Sequence, residues 1–262
     1  MGGRSSVTTM ETMRAERCEG GLWATYARNI ATSADTKDTG AIAVAGGFAI
    51  CLQGTFLEYA IGIGARGPLD ETDFSAVEAF YERRGLPARM ELHEEVAARD
   101  AALLQSHGYR HELTLDVLEA EIGPVDVTPP PGITVEKTDD RHDWAEVVGK
   151  ASDDPDRERV ARSMQVNAHA AVLFSASADG QLIGGGAVST FEEGAILFAG
   201  GVLPAFRARG VHGALIRSRL AYARSRGSSF AVMKTTPDST ASHNALECGF
   251  TRTHARLRFR KG

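Results

Sequence analysis

Residues 203–215 read LPAFRARGVHGAL. The run before them, Ala195-Ile-Leu-Phe-Ala-Gly-Gly-Val202, is apolar and strand-like, and Pro204 ends it. After Gly210 the pattern turns helical, with Val211, Ala214, Leu215, Ser218, Ala221 and Tyr222 on one face. The order is strand, glycine turn, helix N-terminus. The first backbone N–H groups of such a helix have no partner inside it, and the helix dipole adds partial positive charge there. Together they make an anion site, usually for phosphate. Gly210 allows close approach of the backbone, and Arg207 and Arg209 add charge and forked donors.

Arg207-Ala-Arg-Gly210-Val-His212-Gly-Ala214 resembles the coenzyme A pyrophosphate loop of the GNAT superfamily of N-acetyltransferases. The family pattern is Arg or Gln, two residues, Gly, one residue, then Gly or Ala. His212 stands at the last of these positions, and Gly213 and Ala214 keep the next two small. Downstream, Ser242-His-Asn244-Ala-Leu-Glu-Cys-Gly249-Phe250 is similar to the short helix ending in Gly-Phe after the family's fifth strand. The resemblance implies a GNAT-like acyl-CoA N-acyltransferase fold of the α/β (α+β) class, a mixed, largely antiparallel sheet flanked by helices. It implies acetyl-CoA as co-substrate, with no metal, held at Val202, Leu203, Arg207, Arg209, Gly210, Val211, His212, Gly213 and Ala214. Ser242 and Asn244 are further cofactor candidates, and each reads equally well as a cap or surface residue. The resemblance also implies a bulge at Gly200-Gly201, beside which a pantetheine arm would insert and meet the backbone of Val202 and Leu203.

Outward from this core the order is legible. Ile133–Lys137 reads as a strand, Asp139–Lys150 and Asp156–Ala168 as helices, and Ala170–Ser177 as a strand. Asp179-Gly180 is a hairpin signal leading into Gln181–Thr190, and Glu192-Glu193-Gly194 turns the chain into the strand ending at Val202. Phe230–Lys234 and Arg256–Phe259 complete the strands. Upstream, Thr128-Pro-Pro-Pro-Gly132 reads as a stiff linker, dividing the chain into domains 1–127 and 128–262.

The first half echoes the second. Ala41–Leu52 and Phe56–Ile63 read as paired strands, Glu71–Arg84 as a helix, and Ala88–Leu92 and His111–Leu118 as strands. Leu103-Leu-Gln-Ser-His-Gly108-Tyr109 parallels the Gly-Phe segment. This is the reading of a tandem arrangement, with chance recurrence as its alternative. In the first half the loop is Gly64-Ala-Arg-Gly-Pro-Leu-Asp-Glu-Thr-Asp73, where Asp70, Glu71 and Asp73 repel a pyrophosphate and only Arg66 offsets them. The expectation is a degenerate copy without a cofactor site.

Composition fits a globular chain of 262 residues, 43% hydrophobic and with net charge −5. No run is long and apolar enough for a bilayer span, and the start lacks the pattern of a secretory signal. Cys18, Cys51 and Cys248 are odd in number and scattered, against a disulfide framework or metal cluster. The expected location is the cytoplasm. From Pro204 on there are twelve Lys and Arg against two acidic residues, Asp238 and Glu247. This suits a polyphosphate ligand, or packing of a basic part on an acidic one. Nucleic acid is disfavoured as a partner, since no aromatic–basic interleaving accompanies the charge.

The resemblance implies an N-acetyltransferase acting on a small-molecule or peptide amine by direct attack in a ternary complex, with a non-catalytic acyl-CoA-binding module as the alternative. Many family members place an acidic Tyr four residues before the Gly of Gly-Phe, and Ala245 stands there. Glu192 and Glu193 are the candidate bases, or else solvated turn carboxylates. His212 reads as a phosphate donor or a packing residue, His169 as a surface residue, and Cys248 as a small buried side chain rather than a nucleophile.

Overall fold

The computed structural model describes residues 13–31 and 38–262. The described residues fall into two compact units. One comprises those up to Gln53 with Leu57–Leu115 and His254–Gly262; the other comprises Gly54–Phe56 and Asp116–Thr253. The proline segment 128–132 lies inside the second unit, where Pro130 abuts Gly210. The chain passes from one unit to the other at Leu115/Asp116 and Thr253/His254, within strands, and on either side of the turn Gly54–Phe56, rather than at that segment.

The first unit contains α1 (Arg14–Ala31), β1 (Gly40–Val44), β2 (Gly47–Cys51), β3 (Glu58–Ile61), α2 (Glu71–Glu82), β4 (Arg89–His93), α3 (Glu94–Arg99), α4 (Ala101–Ser106) and the start of β5 (Tyr109–Glu121). The expected single strand Ala41–Leu52 is a hairpin: β1 and β2 pair antiparallel across Ala45 (φ 48°) and Gly46 (φ 85°). Two successive positive φ angles are what a tight two-residue hairpin needs, and Ala45 hid the signal. β2 and β3 are antiparallel and β3 and β4 parallel. The core joins Phe74, Val77, Phe80 and Tyr81 of α2 to Met90 and Leu92 of β4. The helix α1 was not anticipated from the sequence pattern.

The second unit contains the rest of β5, β6 (Ile133–Thr138), α5 (Arg141–Ala151), α6 (Arg157–Ala170), β7 (Val172–Ala178), β8 (Gln181–Phe191), β9 (Gly194–Val202), α7 (Val211–Ser225), β10 (Phe230–Thr235), α8 (Thr240–Glu247) and the start of β11 (Thr251–Lys261). Its strands lie in the order β5-β10-β9-β8-β7-β6, all antiparallel except β9 beside β10. The mixed, largely antiparallel sheet flanked by helices is therefore the expected one. The rest of β11 belongs to the first unit, where residues 256–260 pair antiparallel with β4.

Alternation along the strands sends neighbours to opposite faces. Phe174 and Val188 join Leu215 and Ile216 of α7 in one core, while Leu173 and Ala187 join Trp144 and Val148 of α5 in another. The buried side of α7 is Val211, Ala214, Leu215, Ile216, Arg219, Leu220 and Ala223. Of the expected stripe, Val211, Ala214 and Leu215 are buried and Tyr222 packs against the same core at its edge, while Ser218 and Ala221 are half-buried and the charged Arg219 takes an interior place.

Three consecutive glycines strip β8 of side chains where two large groups press on it. A Cβ on Gly185 would lie 2.6 Å from Trp144 Nε1, and one on Gly186 would lie 2.7 Å from Arg219 Cζ. Trp144 donates through Nε1 to the Phe174 carbonyl at 3.1 Å. A β8 of ordinary composition would exclude both residues.

In the first unit, part of the tail's basic charge is internal. Arg256 is wholly buried, with Nη1 2.6 Å from Glu19 and Nη2 3.1 Å from Glu16, and Arg258 pairs with the buried Glu91. His254 Nε2 lies 2.7 Å from Glu16 Oε1. Pairing and hydrogen bonding let these charges persist in the interior, where a lone one would not.

Candidate functional site

The parallel ladder between β9 and β10 runs only from Gly194↔Phe230 to Ile196↔Val232, although β9 continues to Val202 and β10 to Thr235. The two strands part beyond Ile196. The cause lies on the other side of β9, where register with β8 slips between Gly185↔Gly201 and Ala187↔Phe198. Two residues of β9, Ala199 and Gly200, oppose the single Gly186, and Ala199 has φ 48°. An extra residue bends and twists its strand. The bulge thus falls one residue earlier than the expected Gly200-Gly201.

Beyond β9 the chain makes one 3-10 turn, Pro204–Phe206, and reaches α7 through Ala208 (φ 58°) and Gly210 (φ 74°). Gly210 is the N-cap of α7 and contributes no side-chain cap. The first N–H groups of α7, including those of Val211, His212 and Gly213, are therefore left to an outside acceptor. α2 follows β3 in the first unit as α7 follows β9, but its start is closed. Asp70 accepts from the backbone of Thr72 at 2.8 Å and Asp73 at 3.0 Å, and Asp73 accepts from that of Asp70 at 3.1 Å. That is a reciprocal capping box.

The two loop arginines differ. Arg207 donates through Nε to the Val202 carbonyl at 3.2 Å and through Nη2 to the Ala151 carbonyl at 3.0 Å, and Nη2 lies 3.3 Å from Asp153. It ties the end of β9 to the end of α5. Arg209 is exposed, its guanidinium 5.1 Å from the centre of the Phe206 ring. Leu203 donates its backbone N–H to the Ile183 carbonyl at 2.8 Å.

His212 and Asn244 meet. Asn244 Nδ2 donates to His212 Nδ1 at 3.2 Å, which leaves the ring proton on Nε2. Burial and the nearby Arg219 charge lower the His212 pKa to about 4. A Cβ on Gly200 would lie 2.9 Å from His212 Nε2 and 3.4 Å from Arg219 Nη2, so both residues face the bulge. Arg219 is wholly buried, and burial lowers its pKa to about 10, leaving it charged at neutral pH. Sequence reasoning missed Arg219. The signal was present: an arginine seven residues after His212 on an apolar helix face, with Gly184-Gly185-Gly186 in the chain to receive it.

Ser242 is buried in the first turn of α8, its N–H bonded to Ser239 Oγ at 3.2 Å. Ala245, where the family's Tyr stands, is wholly buried. Cys248 lies 3.7 Å from the Gly213 carbonyl, and burial raises its thiol pKa. Ala214 is interior. Glu192 (φ 52°) and Glu193 are exposed in the β8–β9 turn. Ala199 lies six residue steps along the strand from Glu193, roughly 20 Å. The structure does not bring the proposed bases to the bulge.

A strand that parts from its neighbour at a bulge, then an uncapped glycine start of a helix, is the arrangement expected of a coenzyme A cleft, and the family model for "Acetyltransferase (GNAT) family" matches residues 138–250. These residues are a GNAT acetyltransferase domain. No curated protein matches the chain. Among solved structures, a GCN5-related N-acetyltransferase from Kribbella flavida is similar over 97% of this chain and 95% of its own, with TM-score 0.68 and 14% identity. One from Sphaerobacter thermophilus is similar over 78% and 71%, with TM-score 0.59 and 17% identity. A tandem GNAT protein from the clavulanic acid biosynthesis pathway is similar over 71% and 67%, with TM-score 0.54 and 15% identity. At such identities the likeness is one of fold.

Proposed function

We propose that the GNAT domain is an acetyl-CoA-dependent N-acetyltransferase acting on a primary amine of a small molecule or peptide. The observation that carries the reading is the parting of β9 and β10 beyond Ile196, beside a helix start that Gly210 leaves uncapped. The donors fit the co-substrate. The N–H groups of Val211, His212 and Gly213 suit a pyrophosphate, with Arg209 adding charge from outside, whereas that of Ala214 is held by the Gly210 carbonyl at 3.0 Å. The backbone at Val202 borders the opening and suits an amide-bearing arm, while that of Leu203 is engaged, its N–H with the Ile183 carbonyl and its carbonyl with the Phe206 N–H. Thr235 Oγ1, buried on the far side of the parting without a hydrogen-bond partner, has the character of a group awaiting one.

When bound, acetyl-CoA supplies a thioester carbon open to attack. The acceptor nitrogen forms the new C–N bond, the C–S bond breaks, and the proton lost by the amine ends on the departing sulfur. Holding both partners in one cleft removes much of the entropic barrier. The oxygen that gains charge would be met by backbone donors of β9 near the bulge. With Glu192 and Glu193 remote, proton movement falls to water in the cleft.

The N-terminal unit repeats the order strand, strand, strand, helix, strand, short helix. The capping box at Asp70 supports its reading as a degenerate GNAT copy without a cofactor site. Among the described residues Cys18, Cys51 and Cys248 are in no disulfide, which fits work in the reducing cytoplasm. Among the described residues no helix is long and apolar enough to cross a membrane.

The second reading is a non-catalytic acyl-CoA-binding module, favoured by the apolar Ala245 where an acid stands in many relatives. A thiol-release assay with acetyl-CoA against a broad panel of amines separates the two. Acceptor-dependent release establishes the enzyme; tight acetyl-CoA binding with no release from any amine establishes the module.

A further inference from the structure

Arg219 enters the second unit's core from α7, yet it is not placed as an ordinary buried ion. Among its described contacts there is no carboxylate. Nε donates to the Leu215 carbonyl at 3.0 Å, and Nη1 donates to both Ala187 and Phe198 carbonyls, at 3.1 and 3.2 Å. Nη2 is buried without a hydrogen-bond partner. An uncompensated guanidinium costs stability, and an apolar residue of similar volume would fill this space at least as well.

The two carbonyls explain the position. Ala187 and Phe198 are the last regular pair before the β8–β9 register slips. Where a ladder breaks, carbonyls need partners from elsewhere. One planar fork, with donors fixed in angle, holds the two strands at the point where the extra residue begins. Two glycines make room for it: a Cβ on Gly186 would lie 2.8 Å from Nη1, and one on Gly200 would lie 3.4 Å from Nη2. His212 presses on Gly200 from one heptad earlier in α7, and Asn244 holds His212. One helix therefore carries the anion-binding start and, two turns on, the group that shapes the bulge.

We propose that Arg219 is a positioning residue: it braces the β9 bulge, and so sets the opening into which the pantetheine arm of an acyl-CoA inserts. This rests on the acyl-CoA reading above. It assigns Arg219 to the arm and not to the pyrophosphate.

The test compares two probes by calorimetry: acetyl-CoA, and 3′-phospho-ADP, which has the phosphates without the arm. Wild-type protein should prefer acetyl-CoA about tenfold or more, the worth of one or two net hydrogen bonds along the strand edge. In Arg219→Met the preference should fall to about twofold or less, while 3′-phospho-ADP binds as before and the thermal midpoint is kept or raised. A folded Arg219→Met protein with the wild-type preference overturns the proposal. If that variant does not fold, Arg219→Lys is read by the same ratio. Lysine keeps the charge but lacks the fork, so an unchanged ratio overturns the proposal and a reduced one, with 3′-phospho-ADP affinity intact, supports it. Wild-type protein that binds neither probe overturns the acyl-CoA reading itself; binding both with no dependence on Arg219 overturns the brace alone.

Discussion

Asn244 and His212, 32 positions apart, share a hydrogen bond of 3.2 Å that fixes the imidazole as a neutral ring with its proton on Nε2. Neutrality has a consequence for stability. The folded His212 pKa is lowered to about 4, by burial first and by Arg219 second. Between about pH 6.5 and 4 the unfolded chain takes up a proton that the folded chain refuses, so stability falls as pH drops through that window. The limiting slope is about 1.4 kcal/mol per pH unit. Above the window both states are neutral and the contribution is flat. Denaturant titrations at pH 7, 5.5 and 4.5 should show a steeper acid loss for wild type than for His212→Asn. Equal slopes would refute the neutral buried ring.

Glu16 acts in a lower window. Burial raises its pKa, but the charge of Arg256 and the bond from His254 outweigh this and hold it at about 2. A carboxylate with a lowered pKa contributes stability that is complete above its unfolded value and lost as pH falls towards its folded one. Acid loss between about pH 4.5 and 2 should therefore be reduced in Glu16→Gln, which starts less stable at pH 7 because Arg256 loses one of its carboxylate partners. Thermal melts across that range check the sign. A variant with unaltered acid loss would show that Glu16 does not hold its proton off.

Arg209 and Arg207 should separate binding from stability. Arg209→Glu places a carboxylate at an uncapped helix start and should weaken acetyl-CoA binding at least about tenfold, with little change in melting. Arg207→Ala removes donors to Val202 and Ala151 and should cost about 1–3 kcal/mol of stability. Its loss of affinity should be smaller than that of Arg209→Glu. The reverse ranking in calorimetry would mean that Arg207 leaves its tether to meet the ligand.

How far the site was legible depends on the kind of signal. Gly210 was readable because a glycine between an apolar strand and a helical pattern marks a left-handed turn that other residues rarely adopt. The bulge was placed one residue late. Glycine marks where strain is tolerated, but Ala199 took the positive φ, and pairing with β8 decides that. Arg207 and Arg209 look alike in sequence, and only the fold reveals that the Ala151 carbonyl lies within reach of one. Glu192 and Glu193 were drawn to the site by nearness along the chain. A strand carries neighbours apart at about 3.3 Å per residue, so nearness to β9 placed them at its wrong end. Arg219 was passed over because hydrophobic periodicity counts every charged residue as outward-facing, even one opposite glycines.

Asp70 should be dispensable for ligand and costly for fold. Asp70→Ala removes the two bonds accepted from the Thr72 and Asp73 N–H groups at the start of α2 and leaves the Asp70 N–H bonded to the Asp73 carboxylate, an expected loss of about 0.5–2 kcal/mol. Acetyl-CoA stoichiometry should stay at one per chain in wild type and variant, because Glu71 and Asp73 still face any anion there. Two sites in either protein would refute the reading of the first unit as a copy without a cofactor site.

Transfer without a protein nucleophile is the prediction most open to direct test. Burial raises the Cys248 pKa, so its thiol is protonated at neutral pH, and it lies against the Gly213 carbonyl rather than in the parting of the strands. A thiol without a base beside it is a poor nucleophile. Cys248→Ala should leave turnover within about threefold, and initial-rate patterns should intersect, as expected when amine and acetyl-CoA are bound together. Glu192→Gln and Glu193→Gln should keep the full pH profile, since roughly 20 Å of strand separates their turn from the bulge. Parallel initial-rate lines, or an acetyl group trapped on the protein at a competent rate, would defeat direct transfer. A profile shifted by either glutamine would mean that a second route brings that carboxylate to the amine.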